Sequence, residues 1–417
     1  MILESKTLEM CSLALGDSFY LLDEPEFSRA FTELIDAFQS EYKNTNIGYS
    51  YKTNYIPALC NAVNKLGGYA EVVSDMEYDL SQKIGVPKNR VFLNGPYKNK
   101  QCMKDILENG GYVNADCERD LQMLKELAEE CSGVDLNVGL RCNFDIGDGV
   151  LSRFGFCYED KSLEHAIAYL EKLEGVKIAG FHCHFASRSL VAWEKATAGM
   201  LEIISCLEGK LQNELKFVSL GGGLYGEMPG ELQDQLGQNI PTFMEYAAAS
   251  ARRFSDYYCG RDDSRKPLLI IEPGTAVAAG ALSFVTKLVD LRTVRGTQIF
   301  TAAGSSFNFN PSMAAINLPM EIVRNSEARF PDVDCVDAMI VGYTCIEKDI
   351  LYRGYTGKLS VDDFAVFHQT GSYSVVMKPP FILPNVPMIQ LDNSSVGFKI
   401  LKRQELFEDV FATYNFN

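Results

Sequence analysis

The chain has few positive charges and few histidines for its length. Its 417 residues include 39 Lys and Arg against 55 Asp and Glu, which gives a net charge of −16, and only four residues are His. A chain this acidic repels nucleic acid and anionic membrane surfaces, so we expect neither as a partner. Four His also supply a multi-histidine metal centre poorly, so we expect no metal.

Long hydrophobic runs and paired cysteines are missing too. The longest uncharged, mostly apolar run, Gly274–Val285, is too short to span a bilayer, and the first residues show no basic stretch followed by an apolar one. The 12 Cys are scattered without a C-x-x-C pair, so a disulfide framework is not indicated. These features predict a cytoplasmic protein with reduced thiols.

What the chain does contain is a succession of short apolar runs, typical of buried strands, separated by segments with helical spacing. Eight strands alternating with helices predict an α/β fold, a (β/α)₈ TIM-like barrel over residues 24–280, with an open doubly wound sheet as the alternative. The predicted strands are 47–51, 69–73, 90–94, 111–115, 135–141, 176–182, 216–220 and 267–272; the predicted helices are 25–42, 56–67, 118–130, 162–175 and 241–254.

After about residue 281 the pattern changes to strands separated by Gly, Asn and Pro turns. Residues 283–294, 297–303, 335–343 and 363–377 are predicted strands, and a short helix is predicted around Pro319–Asn325. We therefore expect a second, mainly β domain formed by residues 1–23 and 281–417.

Active sites in barrels of this kind lie at the carboxyl ends of the strands, and the residues there are polar and reactive. A Lys among apolar walls can lose its proton and form a Schiff base, although most lysines are simply solvated. A carboxylate after the most apolar strand, such as Glu272, needs a positive partner, either a protonated pyridine nitrogen or an internal ion pair, for example with Arg141. The strand-end residues are Lys52, Asp75, Asn94, Asp116, Arg141, His182, His184, Gly221, Gly222, Gly223 and Glu272.

Two of these strand-end features, and Cys345 in the predicted β domain, each allow two interpretations. Gly221–Gly223 could bring backbone N–H groups to a phosphate, or form a flexible turn. His182 and His184 could share a metal, or His184 could stack on a planar cofactor while His182 forms a structural hydrogen bond. Cys345 could donate a proton in catalysis, but as an isolated residue it is more typical of an ordinary buried Cys.

Taken in order along the chain, seven segments resemble the pyridoxal-phosphate (PLP) decarboxylases that include diaminopimelate and ornithine decarboxylases, which have the alanine-racemase-like fold. Each segment is weakly specific alone, but the order is specific. The segments are YSYKTN, LSRFGF, FHCHFAS, SLGGG, IEPG, TCIEKDIL and TGSYSVVM.

This resemblance implies a role for each matching residue. Lys52 would carry PLP, His184 would stack on its ring and Glu272 would hold the ring nitrogen protonated. Gly274, in the same IEPG segment, would help to bind the cofactor. Cys345 would return a proton in the partner subunit's site of a homodimer. A racemase on this fold would place Arg against the ring nitrogen, so Glu272 favours decarboxylation. The remaining implied cofactor residues are Asp75, Arg141, Ser187, Gly221, Gly222, Gly223 and Tyr373.

The segments depart from the family pattern at Thr275, where Arg is usual, at Arg188, where Gln is common, and at Ile346, where an acidic residue is usual. Residues 305–320 also lack the Arg and Tyr that diaminopimelate decarboxylases carry. We therefore expect an amino-acid-like substrate other than diaminopimelate, ornithine or lysine. Candidate substrate-binding residues are Arg188, Asn308, Asn310 and Ile346.

Three alternative functions remain open from the sequence. One is diaminopimelate decarboxylase itself. Another is a catalytically silent regulatory binder, and the presence of Lys52, His184, Glu272 and Cys345 together argues against it. The third is a metal-dependent barrel hydrolase built on His182 and His184, which the shortage of other His at strand ends disfavours.

Overall fold

The computed structural model describes residues 3–237, 239–326, 329–391 and 397–416. The chain forms two compact units. A barrel unit contains Ser28–Gly226 and Ile240–Val277, and a β unit contains Met1–Phe27, Glu227–Asn239 and Ala278–Asn417. The segment 227–239 groups with the β unit although it lies between barrel strands in the sequence.

The barrel unit, all of whose residues are described, contains eight parallel strands that close on themselves, which confirms the predicted fold class. The eighth strand pairs with both the seventh and the first, and the fourth with the fifth. In chain order the barrel strands are Thr45–Ser50, Tyr69–Val72, Val91–Leu93, Tyr112–Ala115, Leu136–Asn143, Val176–His182, Phe217–Ser219 and Leu268–Ile271. A two-residue strand, Phe156–Cys157, pairs in parallel with the end of the fifth.

Helices surround these strands and begin where the sequence provides caps. Ser74, Asn99, Ser189 and Thr242 each accept a backbone N–H from the first turn of the helix that follows. The helices are Glu24–Glu41, Pro57–Lys65, Asp75–Lys83, Lys100–Glu108, Glu118–Glu130, Ser162–Leu170, Leu190–Leu207, Phe243–Ala249, Ala251–Tyr257 and Thr275–Ala278. No helix in the described ranges is long and apolar enough to cross a bilayer.

An aromatic layer fills the amino-terminal part of the barrel. Phe92 stacks on Tyr112 at 4.8 Å between ring centroids and meets Phe217 edge-on at 4.9 Å. Gly180 makes room for the Phe217 ring, since a Cβ there would lie 2.5 Å from it. Because alternate residues of a strand face the same side, the residues two positions further on also point into the barrel.

In the described part of the β unit, nine strands form one sheet. They are Ser18–Leu22, Leu282–Val294, Thr297–Ala302, Met320–Val323, Val333–Val341, Ile350–Leu359, Phe364–Phe367, Met388–Leu391 and Phe398–Lys402. Its helices are Ser5–Leu15, Gly230–Leu236, Ser306–Phe309 and Phe407–Val410. A core of Phe19, Val285, Phe364, Val366 and Ile389, among others, packs on one face of the sheet.

Two predictions for this unit are wrong. The helix expected around Pro319–Asn325 is the strand Met320–Val323, which pairs antiparallel with Phe364–Phe367. The long strand expected over 363–377 ends at Phe367, and the residues after it form turns. In both places the pairing of distant segments decided the structure, and local spacing could not reveal that pairing.

Candidate active site

A layer of buried polar side chains lies above the aromatic layer, one pleat further along the strands. Glu71 follows Tyr69, Asn94 follows Phe92, Asn114 follows Tyr112 and Ser219 follows Phe217, each two positions on. A closed sheet therefore collects these groups in a small volume. The layer comprises Ser50, Glu71, Asn94, Asn114, His182, Ser219 and Glu272, all at most 5% exposed.

Lys52 lies at the edge of this layer and forms an ion pair with Glu71. It belongs to a single 3₁₀ turn, Tyr51–Thr53, that directly follows the first barrel strand. Its Nζ lies 2.6 Å from Glu71 Oε2, and Ser50 Oγ donates to the same oxygen at 2.5 Å. The Lys52 side chain is 35% exposed while that of Glu71 is fully buried, so the amine faces the open end of the barrel.

Glu272 is a buried carboxylate surrounded by hydrogen-bond donors. Its Oε1 accepts from Ser219 Oγ at 2.8 Å and from Asn94 Nδ2 at 3.2 Å, and its Oε2 lies 3.2 Å from His182 Nε2. Burial alone raises the pKa of Glu272, but attraction to His182 and Lys52 and these hydrogen bonds outweigh burial and hold that pKa well below its usual range. Glu272 is therefore ionised at neutral pH.

The imidazole of His184 is neutral. Burial of the ring, and then the positive charge of Lys52, lower the pKa of His184 to about 3. Its Nδ1 accepts the N–H of Gly222 at 2.8 Å, which assigns the ring proton to Nε2. Uncharged and held by the glycine loop, the ring can offer a flat face to a planar ligand.

The three glycines are required by close packing of the barrel loops. A Cβ on Gly221 would lie 2.5 Å from the Cys183 carbonyl oxygen, and one on Gly222 would lie 2.3 Å from the Glu272 carbonyl oxygen. Gly221 and Gly223 also have φ of +70° and +91°. Gly274 meets a similar limit, because its Cβ would lie 2.0 Å from Thr53 Oγ1 beside Lys52.

Arg141 is held in place by a chain of buried charges. Its Nη1 lies 3.2 Å from Asp116 Oδ1, and its guanidinium lies over the Phe154 ring at 4.5 Å. The backbone N–H of Asp116 donates to Asp120, which forms a fully buried ion pair with Lys98 at 2.6 Å. The alternative of an ion pair between Arg141 and Glu272 is thus replaced by the pair with Asp116.

Asp75 does not join this group. It is exposed in the first turn of the helix Asp75–Lys83, where its Oδ1 accepts the N–H of Met76. The barrel carboxylate beside Lys52 is Glu71, which inspection of strand ends alone overlooked. The sequence does contain a signal for Glu71. It lies two residues after Tyr69 in the same strand, and alternate residues of a strand face the same side, so both point into the barrel.

Ser187 and Arg188, in the loop that follows His184, each make their own contacts. Ser187 Oγ lies 3.4 Å from Ser189 Oγ, and the Ser187 carbonyl oxygen lies against Gly223. Arg188 is half-buried, and its Nη2 donates to Thr275 Oγ1 at 3.4 Å. Both therefore lie beside the glycine loop.

Cys345 lies in a loop of the β unit that a buried carboxylate organises. Asp349, 2% exposed, accepts from Ser305 Oγ at 2.9 Å, from Ser306 Oγ at 2.7 Å and from Thr344 Oγ1 at 2.6 Å. Cys345 itself is exposed, and with Ile346 it lines a cavity of about 420 Å³ in this unit. The expectation that Cys345 is an ordinary buried thiol is therefore wrong.

Other predicted residues of the β unit fall into two groups. Tyr373 is 39% exposed with φ of +53°, a backbone conformation that costs a non-glycine residue energy and often marks a functional position. Asn308 and Asn310 use their side chains locally. Asn308 Oδ1 accepts the N–H of Ser305, and Asn310 Nδ2 donates to the Ala314 carbonyl oxygen. These contacts favour a structural role for both.

The barrel residues fit PLP. The amine of Lys52, on a side chain that is 35% exposed, can carry the aldehyde, ionised Glu272 can face a protonated ring nitrogen, and neutral His184 can lie against the ring. Gly221 and Gly222 donate their N–H groups to Ser219 Oγ and His184 Nδ1, so Gly223 is the member of the loop whose N–H could meet a phosphate. No group of three or more metal-ligating side chains occurs in the described ranges, and His182 and His184 contact different partners.

Fold and site together define a barrel enzyme that holds an aldehyde cofactor through a lysine. Residues 28–279, more than half of the chain, match the family model described as pyridoxal-dependent decarboxylase, pyridoxal binding domain. The chain belongs to this family, as the seven segments indicated. It is a PLP-dependent amino-acid decarboxylase, a carboxy-lyase.

The proteins that this chain resembles are named as decarboxylases of different amino acids. The chain is 28% identical to the diaminopimelate decarboxylase of Archaeoglobus fulgidus, over 85% of this chain and 84% of the relative. It resembles the crystal structure of diaminopimelate decarboxylase from M. jannaschii, with a TM-score of 0.84 and 23% identity over 97% and 93% of the two chains. It also resembles the arginine decarboxylase of Paramecium bursaria Chlorella virus, with a TM-score of 0.72 and 18% identity over 93% and 100%.

Proposed function

We propose that this enzyme decarboxylates an amino acid or amino-acid derivative other than diaminopimelate, ornithine or lysine. The observation that carries the proposal is Ile346, which lines the cavity beside Cys345 where the family usually has an acidic residue. An isoleucine cannot pair with a distal ammonium group, and burying such a group without a partner is costly. Residues 305–320, which Asp349 ties to the Cys345 loop, supply no Arg or Tyr to a distal carboxylate.

Each barrel side chain has a proposed part in the reaction. When bound, PLP supplies an electron sink for the carbanion left by loss of CO₂. Lys52 carries the cofactor on its Nζ, and Glu71 accepts a proton from that amine through their 2.6 Å contact. Glu272 holds the proton on the ring nitrogen, while His184 covers the ring face and excludes water.

We assign the final proton to Cys345. The carbon that loses CO₂ needs one proton to become the product amine, and a thiol in a polar loop can donate it. Cys345 belongs to the β unit, and we propose that it acts in the barrel of the partner subunit of a homodimer, with Tyr373 contacting the phosphate there.

The substrate proposal is tested by CO₂ release from a panel of amino acids with apolar, amide, carboxylate and ammonium ends. We expect negligible turnover of diaminopimelate, ornithine and lysine. We expect Ile346→Asp to raise the turnover of ornithine and lysine, whose side chains end in an ammonium group. Efficient turnover of diaminopimelate by the parent enzyme would refute the substrate assignment. Cofactor binding with no CO₂ release from any compound would favour a silent binder.

The shared site is tested by mixing two inactive variants. Lys52→Ala and Cys345→Ala damage different parts of the site, so a mixed dimer would contain one site with both residues intact. Unfolding and refolding an equal mixture should restore about a quarter of parental activity if the protein is a two-fold dimer. No recovery, with dimers confirmed by sedimentation, would show that each subunit supplies its own Cys345.

A further inference from the structure

Arg188 is anchored where three barrel loops meet. Its carbonyl oxygen accepts the Tyr246 hydroxyl at 2.5 Å, and its guanidinium lies over the Tyr225 ring at 5.2 Å. Its Nη2 donates to Thr275 Oγ1 at 3.4 Å. The side chain therefore spans from the loop after the sixth barrel strand to the segment after the eighth.

The glycine loop after the seventh strand lies against the loop that carries Arg188. The Gly223 carbonyl oxygen accepts Trp193 Nε1 at 2.8 Å, and a Cβ on Gly223 would lie 2.9 Å from the Phe185 carbonyl oxygen and 3.2 Å from that of Ser187. Barrels of this kind frequently bind phosphate with the loops after the seventh and eighth strands. Arg188 thus brings a fixed positive charge to the place where a phosphate would sit.

The guanidinium lacks a counter-ion. Among the described residues, no carboxylate lies within ion-pair distance of Arg188, although the side chain is half-buried. Thr275 and Tyr225 contact the guanidinium but do not neutralise its charge, so the position favours an anionic ligand. The planar fork of arginine donors matches the oxygens of a phosphate.

We propose that Arg188 binds the 5′-phosphate of PLP, and so replaces an arginine that the family usually has at position 275. The Arg188 guanidinium lies beside the side chain of residue 275, so it brings a positive charge to the neighbourhood of that position from the other loop. Arg188 is then a cofactor residue and not a distal substrate contact. The inference depends on PLP lying in the barrel with its phosphate at the glycine loop.

The test compares PLP with pyridoxal, which lacks the phosphate. The cofactor is removed, and affinity is measured from the absorbance of the Lys52 adduct as each compound is titrated. Arg188→Gln should weaken PLP binding by roughly 10- to 100-fold, as expected for loss of a charged hydrogen-bond pair. Pyridoxal binding should stay unchanged. Adding Thr275→Arg to Arg188→Gln should restore most of the PLP affinity.

Each other outcome overturns the inference. Equal loss of PLP and pyridoxal would assign Arg188 a structural role, and unchanged PLP affinity with a raised KM would assign it to the substrate. If Arg188→Gln does not fold, Arg188→Lys allows the same comparison, because it keeps the charge and loses the fork. A parent enzyme that does not prefer PLP over pyridoxal would remove the premise of a phosphate site, independently of which amino acid is the substrate.

Discussion

The buried carboxyl group of Glu77 should make stability depend on pH near neutrality. Glu77 is 4% exposed, and its Oε2 accepts the N–H of Val73 at 2.8 Å. Burial is the main cause that raises the pKa of Glu77 to about 7; the Val73 hydrogen bond opposes it, Glu71 adds to it and Lys52 reduces it.

The sign follows from comparing the folded and unfolded chains. The folded pKa lies above the ordinary value of 4.5, so the folded chain keeps a proton that the unfolded chain has released. This contribution to stability is complete below pH 4.5 and is lost as the pH rises to about 7. At about 1.36 kcal/mol per pKa unit, the gap amounts to roughly 3 kcal/mol.

Glu77→Gln isolates the effect, because the amide keeps the acceptor for Val73 and cannot ionise. Urea unfolding followed by circular dichroism between pH 5 and pH 8 should show the parent losing roughly 2 kcal/mol relative to this variant. Glu129→Gln, at an exposed position of the helix Glu118–Glu130, is the matched control and should show no such trend. A constant difference between parent and Glu77→Gln at all pH values would refute the raised pKa.

Three further predictions concern the support of the site. Lys98→Met should lower the free energy of unfolding by roughly 3–5 kcal/mol, because it leaves the buried carboxylate of Asp120 without its ion-pair partner. The control Lys100→Met, on the surface, should lower it by less than about 1 kcal/mol. Denaturant titration compares the two variants, and equal effects would contradict the reasoning. Gly222→Ala should weaken PLP affinity by at least about 10-fold, since the new Cβ would lie 2.3 Å from the Glu272 carbonyl oxygen. Spectrophotometric titration with PLP measures this affinity, and an unchanged value would show that the loop can shift to accommodate the methyl group. Asp349→Asn should speed alkylation of Cys345 by loosening its loop, measured by mass spectrometry, and an unchanged rate would show that other contacts hold the loop.

The barrel could be predicted from the sequence because its signal is local. Buried parallel strands are short apolar runs, and each of the eight predicted runs overlaps an observed strand. The β unit was harder, because the strand Met320–Val323 exists through its pairing with Phe364–Phe367, more than 40 residues later. The sequence around it gives no sign of that partner.

The site was predictable to the extent that its residues end strands. Lys52, His184 and Glu272 do so, and the structure brings them together in the barrel. Glu71 was missed because it lies inside the strand Tyr69–Val72, one residue before its end. Asp75 was chosen because it follows that strand. The two are four residues apart, but the helix begins at Asp75 and turns its side chain to solvent.

The hydrogen bonds of the structure explain why the buried barrel residues and the proposed substrate residue Ile346 can change independently in evolution. Glu71, Asn94 and Glu272 share hydrogen bonds across neighbouring or facing strands of one closed sheet, so replacing any one leaves a buried polar partner unsatisfied. Ile346 lies in a loop whose position depends on the carboxylate of Asp349 and on backbone contacts, and its own side chain takes no part in that hydrogen bonding. Under the proposed substrate role of Ile346, a substitution at 346 would alter which distal group is accepted without disturbing Lys52, and substrate range is the property that we expect to differ among members of the family with this barrel.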